Sequence, residues 1–379
     1  MLRVLFIFGT RPEAIKLCPV VGHLRGRSGE FQTSVCVTAQ HRELLDQVLD
    51  VFEIRPDYDM DLMQPGQTLH QSTGRIVTGL ESVLDREKPD LVLVQGDTTT
   101  TFCGALAAFY RAVAVGHVEA GLRTGDIRRP FPEEMNRVLT TRLSTLHFAA
   151  TSWAAENLRR EGVAADRIWI TGNSGIDAVL HVVGLIEQGV RAAPEWPWLD
   201  PGRKLILVTA HRRESFGAGF ESICRALNRL SSRDDVQIVY PVHPNPNVDE
   251  PVRRLLAGHA NVVLTDPLPY LPFVDLMRRA HFLLTDSGGI QEEGPSLGKP
   301  ILVMRDNTER PEAVEAGTVR LVGTGEERIL EESSRLLEDA GHYGRMSRIH
   351  NPYGDGQASR RIGDAIRSFF EGKASATSP

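Results

Sequence analysis

Cysteine is scarce and scattered: Cys18, Cys36, Cys103 and Cys224 are the only four among 379 residues, and no C-x-x-C pair occurs. That excludes a disulfide framework and a thiolate metal site, and it suits a reducing compartment. Long apolar runs are missing too. None approaches the roughly 20 residues that a membrane span needs. The opening Met1–Phe8 is too short for a secretory signal, and Gly9-Thr-Arg-Pro-Glu13 stands where a small-residue cleavage site would belong. A cytoplasmic chain without membrane contact is expected. Nor is positive charge in excess: the formal net charge is -6, which argues against a general nucleic-acid binder. No G-x-G-x-x-G follows any strand, so bound NAD has no support, and Gly294–Lys299 has the wrong spacing for a P-loop, with Pro300 where Ser or Thr is required. Neither a cofactor nor a metal is expected.

What is present is a regular alternation. Short apolar runs read as strands at Val4–Phe8, Thr33–Thr38, Leu91–Val94, Val113–Val118 and Ile168–Thr171, then at Leu205–Val208, Gln237–Tyr240, Val262–Leu264, Phe282–Thr285 and Ile301–Met304. Most are continuously apolar, as strands buried on both faces of a parallel sheet should be. Amphipathic segments such as Leu44–Phe52, Phe102–Arg111 and Phe220–Leu230 intervene. The pattern predicts an α/β chain of two doubly wound, Rossmann-like domains. Pro194, Pro197 and Pro201 mark a linker over 191–202. The expected domains are 1–190 and 203–352, with a C-terminal helix within 353–372 and a polar tail at 373–379. No strand follows that helix, so it must pack on something already built.

The strongest local signal is Leu283-Leu-Thr-Asp-Ser-Gly-Gly-Ile-Gln-Glu-Glu-Gly294. A buried strand runs into Ser287, Gly288 and Gly289, and a helix begins. Glycines let backbone amides approach a ligand, Ser287 adds a hydroxyl, and the helix start favours an anion, which together read as a phosphate seat. Glu292 and Glu293, one turn on, could accept hydrogen bonds from ribose hydroxyls. In the first half, Gly9–Lys16 repeats the strand–loop–helix arrangement. Arg11 could clamp a diphosphate bidentately, and Lys16 lies on the first helical turns. Arg310 stands in a second Arg-Pro-Glu-Ala, again where anions collect.

Acidic residues gather at other strand ends. Asp97, in Gln95-Gly-Asp-Thr-Thr-Thr-Thr101, either caps the next helix or faces a ligand. Glu119 closes the strand at His117, and Glu133 starts a helix that also carries Arg137. Such crowding beside a diphosphate is unfavourable unless the carboxyls work as acids or bases. His211, Arg212 and Arg213 follow strand Leu205–Val208 and read as a phosphate clamp. Phe273 either stacks on a base or serves as core.

Taken in order, Gly9–Glu13, Gln40-His-Arg42, Gly96–Thr101, His117–Asp126, Pro132–Arg137, His211–Glu214, Ser287–Glu293 and Thr308–Ala313 resemble the non-hydrolysing UDP-N-acetylglucosamine 2-epimerases over nearly the whole chain. The resemblance implies a GT-B-type pair of Rossmann-like domains with the active site in the interdomain cleft, a homodimer, and conversion of UDP-N-acetylglucosamine to UDP-N-acetylmannosamine through a glycal. It implies catalytic roles for Asp97, Glu119, Glu133 and His211. Ser287, Gly288, Gly289 and Arg11 would hold the diphosphate, Glu293 the ribose and Phe273 the uracil. Lys16, Arg137, Arg213 and Arg310 complete the expected substrate contacts. Gln40, His41, Gln67 and His243 fall where some members bind an activating second substrate molecule. A UDP-sugar-dependent glycosyltransferase of the same fold is the competing expectation; it would not need the acids at 97, 119 and 133.

Overall fold

The computed structural model describes residues 1–38, 42–62, 64, 66–348 and 351–376. The chain divides into two compact units, Met1–Ala178 together with Tyr353–Pro379, and Val179–Pro352.

The first unit runs β1 (Leu2–Phe8), α1 (Arg11–Arg25), β2 (Phe31–Val37), α2 (Arg42–Val51), β3 (Tyr58–Asp59), α3 (Leu69–Glu87), β4 (Leu91–Gln95), α4 (Thr99–Tyr110), β5 (Ala114–Val118), α5 (Glu133–Leu143), β6 (Leu146–Ala149), α6 (Ser152–Arg160) and β7 (Ile168–Ile170), with α7 (Ser174–Glu187) beginning in it. All pairings are parallel, in the order β3-β2-β1-β4-β5-β6-β7. Val4–Phe8 are fully buried, and each such side chain is worth about 1.5–3 kcal/mol relative to exposure. That is why the run is apolar without alternation.

The second unit continues with β8 (Lys204–Thr209), α8 (Ala218–Leu230), β9 (Val236–Pro241), α9 (Pro246–Leu256), β10 (Val262–Thr265), α10 (Tyr270–Arg279), β11 (Phe282–Thr285), α11 (Gly288–Glu293), β12 (Ile301–Val303), α12 (Pro311–Glu315), β13 (Val319–Leu321), α13 (Glu326–Glu338) and α14 (Ala340–Met346). Its parallel sheet has the order β10-β9-β8-β11-β12-β13. Each sheet thus reverses direction once, between β1 and β4 and between β8 and β11. In open α/β sheets, ligands bind outside the carboxyl ends of strands at that switch point. Both units are Rossmann-like, and two such units in one chain make the GT-B type of architecture.

Three strands have no counterpart among those expected from sequence. β3 is only two residues long, and His147 in β6 and Arg320 in β13 interrupt what would otherwise be apolar runs. The division between units falls inside α7, ahead of the stretch 191–202 expected as a linker. That stretch is packed against the second unit: Trp196 Nε1 donates to Asp275 Oδ2 at 2.8 Å, and the Asp200 N–H to Gln237 Oε1 at 2.9 Å. The last helix, α15 (Ala358–Ala376), extends into the residues expected as a tail. It packs on α1, where Arg27 donates to Asp364 at 2.9 Å and Gly363 leaves room for Leu24. Asp177 accepts the Ala358 and Ser359 N–H groups at its start.

Candidate active site

In the first unit the switch point is built around a buried carboxylate. Thr10 and Glu13 form a capping box at the start of α1. Glu13 Oε2 accepts the Gly9 and Thr10 N–H groups at 3.0 and 2.7 Å, while Oε1 accepts the Thr98 and Thr101 hydroxyls at 2.6 and 3.0 Å. One side chain therefore ties the loop carrying Arg11 to the loop carrying Asp97. Burial raises the Glu13 carboxyl above its ordinary value, against the four donors that lower it. Thr98, not Asp97, caps α4, its hydroxyl accepting the Thr101 N–H at 3.1 Å. The capping alternative for Asp97 is thereby removed.

Asp97 is held from α5. Arg137 donates to Asp97 Oδ2 at 2.5 Å and Asn136 Nδ2 to the Asp97 carbonyl at 2.9 Å. Arg137 is itself paired with the buried Glu134 at 3.2 Å, and Glu134 accepts the Thr124 and Gly125 N–H groups at 3.0 and 3.3 Å. Glu133 shares the helical face of Asn136 and Arg137, three and four residues on. It is half-buried, and its carboxylate makes no hydrogen bond or ion pair among the described residues. The turn before Asp97 places Gly96 at φ 74°, a left-handed conformation that glycine adopts without cost. Its carbonyl receives the fully buried His117 Nε2 at 2.7 Å. Burial pushes the His117 imidazole down to about 3, so at neutral pH it is an uncharged donor.

Glu119 has φ 63°, an uncommon conformation for a residue with a side chain. Its carboxylate is surrounded by donors: Lys16 and Asn173 on Oε1, the latter at 3.1 Å, and Gln95 on Oε2 at 2.5 Å. Lys16 is thus gathered with Glu119 across 103 residues of sequence. Arg11 is half-buried at the start of α1.

At the switch point of the second unit Asp286, wholly buried at the end of β11, accepts the His211 and Arg212 N–H groups at 2.7 Å each. Arg213 is exposed in the turn that follows. His211 stacks on His243 with ring centroids 5.4 Å apart and planes 15° from parallel. Burial lowers the His211 imidazole, while Asp286 opposes that shift. Ser287, Gly288 and Gly289 enter α11 as expected. Gly288 leaves room for a neighbour: a Cβ there would lie 2.5 Å from Arg310 Nη1, so the guanidinium would have to shift. Arg310 donates to Glu292 at 2.7 Å, which commits Glu292, and the Glu293 carboxylate turns toward Gly289. Phe273 is half-buried on the first turn of α10.

Of the expected activator residues, Gln40 and His41 lie outside the described residues. Gln67 accepts from Arg75 at 3.3 Å, and His243 Nδ1 accepts the Asn245 N–H at 3.1 Å. The residues that sequence reasoning passed over are the partners: Glu13, Gln95, His117, Glu134, Asn136, Asn173 and Asp286. Only Glu13 carried a usable local signal, the Thr-x-x-Glu spacing of a capping box. Among the described residues no cluster of His, Cys, Asp and Glu could hold a metal ion, and no helix is long and apolar enough to cross a membrane.

A family model described as UDP-N-acetylglucosamine 2-epimerase matches residues 24–367. The UDP-N-acetylglucosamine 2-epimerase of Escherichia coli K12 is 59% identical over 372 residues, covering 97% of this chain and 99% of its own length. The crystal structure of the UDP-GlcNAc 2-epimerase of Neisseria meningitidis bound to UDP-GlcNAc superposes with a TM-score of 0.89 at 48% identity, covering 97% of this chain and all of that one. The Methanocaldococcus jannaschii enzyme, solved with UDP-GlcNAc and UDP, gives 0.80 at 33% identity, over 97% of this chain and 99% of its own.

Proposed function

The chain belongs to the UDP-N-acetylglucosamine 2-epimerase family and is an isomerase acting at C2 of that nucleotide sugar; we propose that its second unit holds UDP while its first supplies the proton-transfer groups, through a glycal intermediate. The C2 hydrogen is not acidic, since no carbonyl adjoins it. A carboxylate takes that proton as the C1–O bond breaks. The C2–H electron pair becomes the C1–C2 double bond, and the C1–O pair departs with the β-phosphate of UDP. In the second half UDP oxygen adds to C1 while a proton reaches the opposite face of C2.

Departure of UDP requires preorganised cationic and N–H donors where charge develops. Ser287, Gly288 and Gly289 at the start of α11, with Arg310 packed over Gly288, suit the diphosphate, as do Arg11, Arg213 and His211. Glu293, beside Gly289, suits the ribose hydroxyls, and Phe273 the uracil. Proton transfer on two faces calls for two acid–base groups. The observation that carries the assignment is α5, which presents Glu133, Asn136 and Arg137 on one face, with the latter two on Asp97. Asp97 and Glu133 are the proton-transfer pair. Glu119, engaged by Lys16, Gln95 and Asn173, sets the charge and shape of the sugar subsite.

We further propose a cytoplasmic homodimer. Four buried, unpaired cysteines suit a reducing compartment, and Phe109 and Tyr110 stand exposed at the end of α4, an apolar surface that a second copy would cover. Light scattering at the mass of one chain would exclude the dimer. The reaction is tested by incubation with UDP-N-acetylglucosamine in deuterated water, without added cofactor. UDP-N-acetylmannosamine carrying deuterium at C2 is expected. Free N-acetylmannosamine would mean hydrolysis, and product retaining the original C2 hydrogen would refute exchange through a glycal.

A further inference from the structure

Asp286 stands immediately before the Ser287–Gly289 turn, yet nothing in the reaction described above uses it. Its side chain is wholly buried. One oxygen, Oδ2, accepts both N–H groups of the β8 turn. The other, Oδ1, has no hydrogen-bond partner among the described residues and faces His211 Nδ1 at 3.7 Å. A buried carboxylate oxygen without a donor is costly. A small rotation of the half-exposed imidazole would supply that donor, and contacts of working groups commonly tighten only when ligand binds. The stacked His243 cannot compete for the Oδ1 atom through its own Nδ1, which already accepts the Asn245 N–H.

We infer that Asp286 is a positioning residue for His211: it holds the imidazole through its Nδ1–H and turns Nε2 toward the departing diphosphate, to which Nε2 donates when the ring takes up its second proton. This rests on the reading of His211 as a diphosphate contact. Of the groups that act on the His211 charge, His243 and Arg212 disfavour the protonated ring, as burial does; Asp286 alone favours it. A carboxylate at this place therefore decides both the tautomer and how readily the ring carries a cation beside the leaving group.

Asp286→Asn separates this role from a mere clip of the turn. The amide oxygen still accepts the two backbone N–H groups, while Nδ2 replaces the oxygen that faces His211. Histidine labelled with ¹⁵N, with His211 assigned by the loss of its signals in His211→Asn, reports the ring directly in the ligand-free enzyme. The neutral parent ring carries its proton on Nδ1. In Asp286→Asn the titration midpoint moves to lower pH and the proton moves to Nε2. Turnover falls by at least about tenfold, the scale of a partly lost acid–base contribution, while UDP affinity by calorimetry is retained. His211→Asn with Asp286→Asn is no slower than His211→Asn alone. A parent ring protonated on Nε2 overturns the inference, and it does so even if the variant fails to fold. So does an identical midpoint in parent and variant. Full activity in His211→Asn would instead refute the role of His211 in the reaction, leaving the tautomer measurement to judge Asp286.

Discussion

His117→Gln tests the buried scaffold of the first unit through pH. The native imidazole is fully buried, donates from Nε2 to the Gly96 carbonyl at 2.7 Å, and has no partner at Nδ1 among the described residues. Burial, aided by His147, Arg123 and Arg137, pushes it down to about 3, against an ordinary 6.5. In the unfolded chain the ring takes its proton near 6.5, so the unfolded state binds more protons between these two values. Stability is therefore flat at and above about pH 7.5, falls as pH drops through 6.5, and levels off only near 3. The gap of about 3.5 pH units, at about 1.4 kcal/mol each, amounts to roughly 5 kcal/mol in all. About half of that, roughly 2–3 kcal/mol, is lost between pH 7.5 and 4.5.

Glutamine places an amide N–H close to where Nε2 stands, so the bond to Gly96 is kept while the titration is removed. Imperfect filling of the ring's volume costs about 1–2 kcal/mol at every pH. The variant should thus be less stable than the parent at pH 7.5 and should match or overtake it near pH 4.5. Urea unfolding at a series of pH values, followed by hydrogen exchange of amides in the first unit, measures the difference. Parallel stability curves from pH 7.5 to 4.5 would refute the argument, because they would mean that His117 accepts its proton as easily folded as unfolded.

Asp97→Asn and Glu133→Gln should each lower turnover by about 10²–10⁴-fold while nucleotide-sugar binding persists; near-normal turnover in both, under saturating substrate, would remove them from the reaction. Gly288→Ala puts a methyl group 2.5 Å from Arg310 Nη1 and should displace the guanidinium from Glu292. UDP affinity by calorimetry should then fall by about tenfold or more, the loss of a charge-assisted contact, and unchanged affinity would count against Arg310 as a diphosphate group. Burial would raise the Glu309 carboxyl, but Arg310 and Arg305 hold it down to about 2. Its charge contributes stability that is complete above pH 4.5 and lost as pH falls toward 2, of order 3 kcal/mol. Glu309→Gln should therefore be destabilised at pH 7 by thermal unfolding, with a gap that narrows below pH 4.5; a gap constant with pH would contradict this.

What could be read from the sequence was what local chemistry announces. Short apolar runs, most of them continuous, located ten strands, because a strand buried on both faces has little place for polar side chains. Ser287–Gly289 and Gly9–Glu13 declared themselves through glycine, proline and capping residues confined to a few positions. Residues defined by distant partners were not legible. Nothing in Asn173 foretells Glu119, 54 residues earlier, and nothing in Arg137 foretells Asp97, 40 residues earlier. Neighbouring alternatives were equally opaque: Asp97 and Thr98 are both good helix caps, and only the folded turn assigns the cap to Thr98. The last helix was foreseen by its lack of a following strand, but not its reach to Ala376, since a small polar segment has no apolar period to mark where a helix stops.

The hydrogen bonds also sort the acids of the first unit by what they are free to do. Glu13 is committed to four donors, Glu134 to two backbone N–H groups and Arg137, and Glu119 to three side chains. To accept a proton, each of these would have to surrender donors inside a buried network, at about 1–3 kcal/mol per polar group left unsatisfied. Asp97 is tied through one oxygen to Arg137, and Glu133 to none of the described residues. This supports the proposal that proton transfer falls to Asp97 and Glu133, the two carboxyls with the fewest obligations. The three committed carboxylates hold the loops around them, so an amide in place of Glu13 should disturb substrate binding and turnover together, whereas one in place of Asp97 should spare binding.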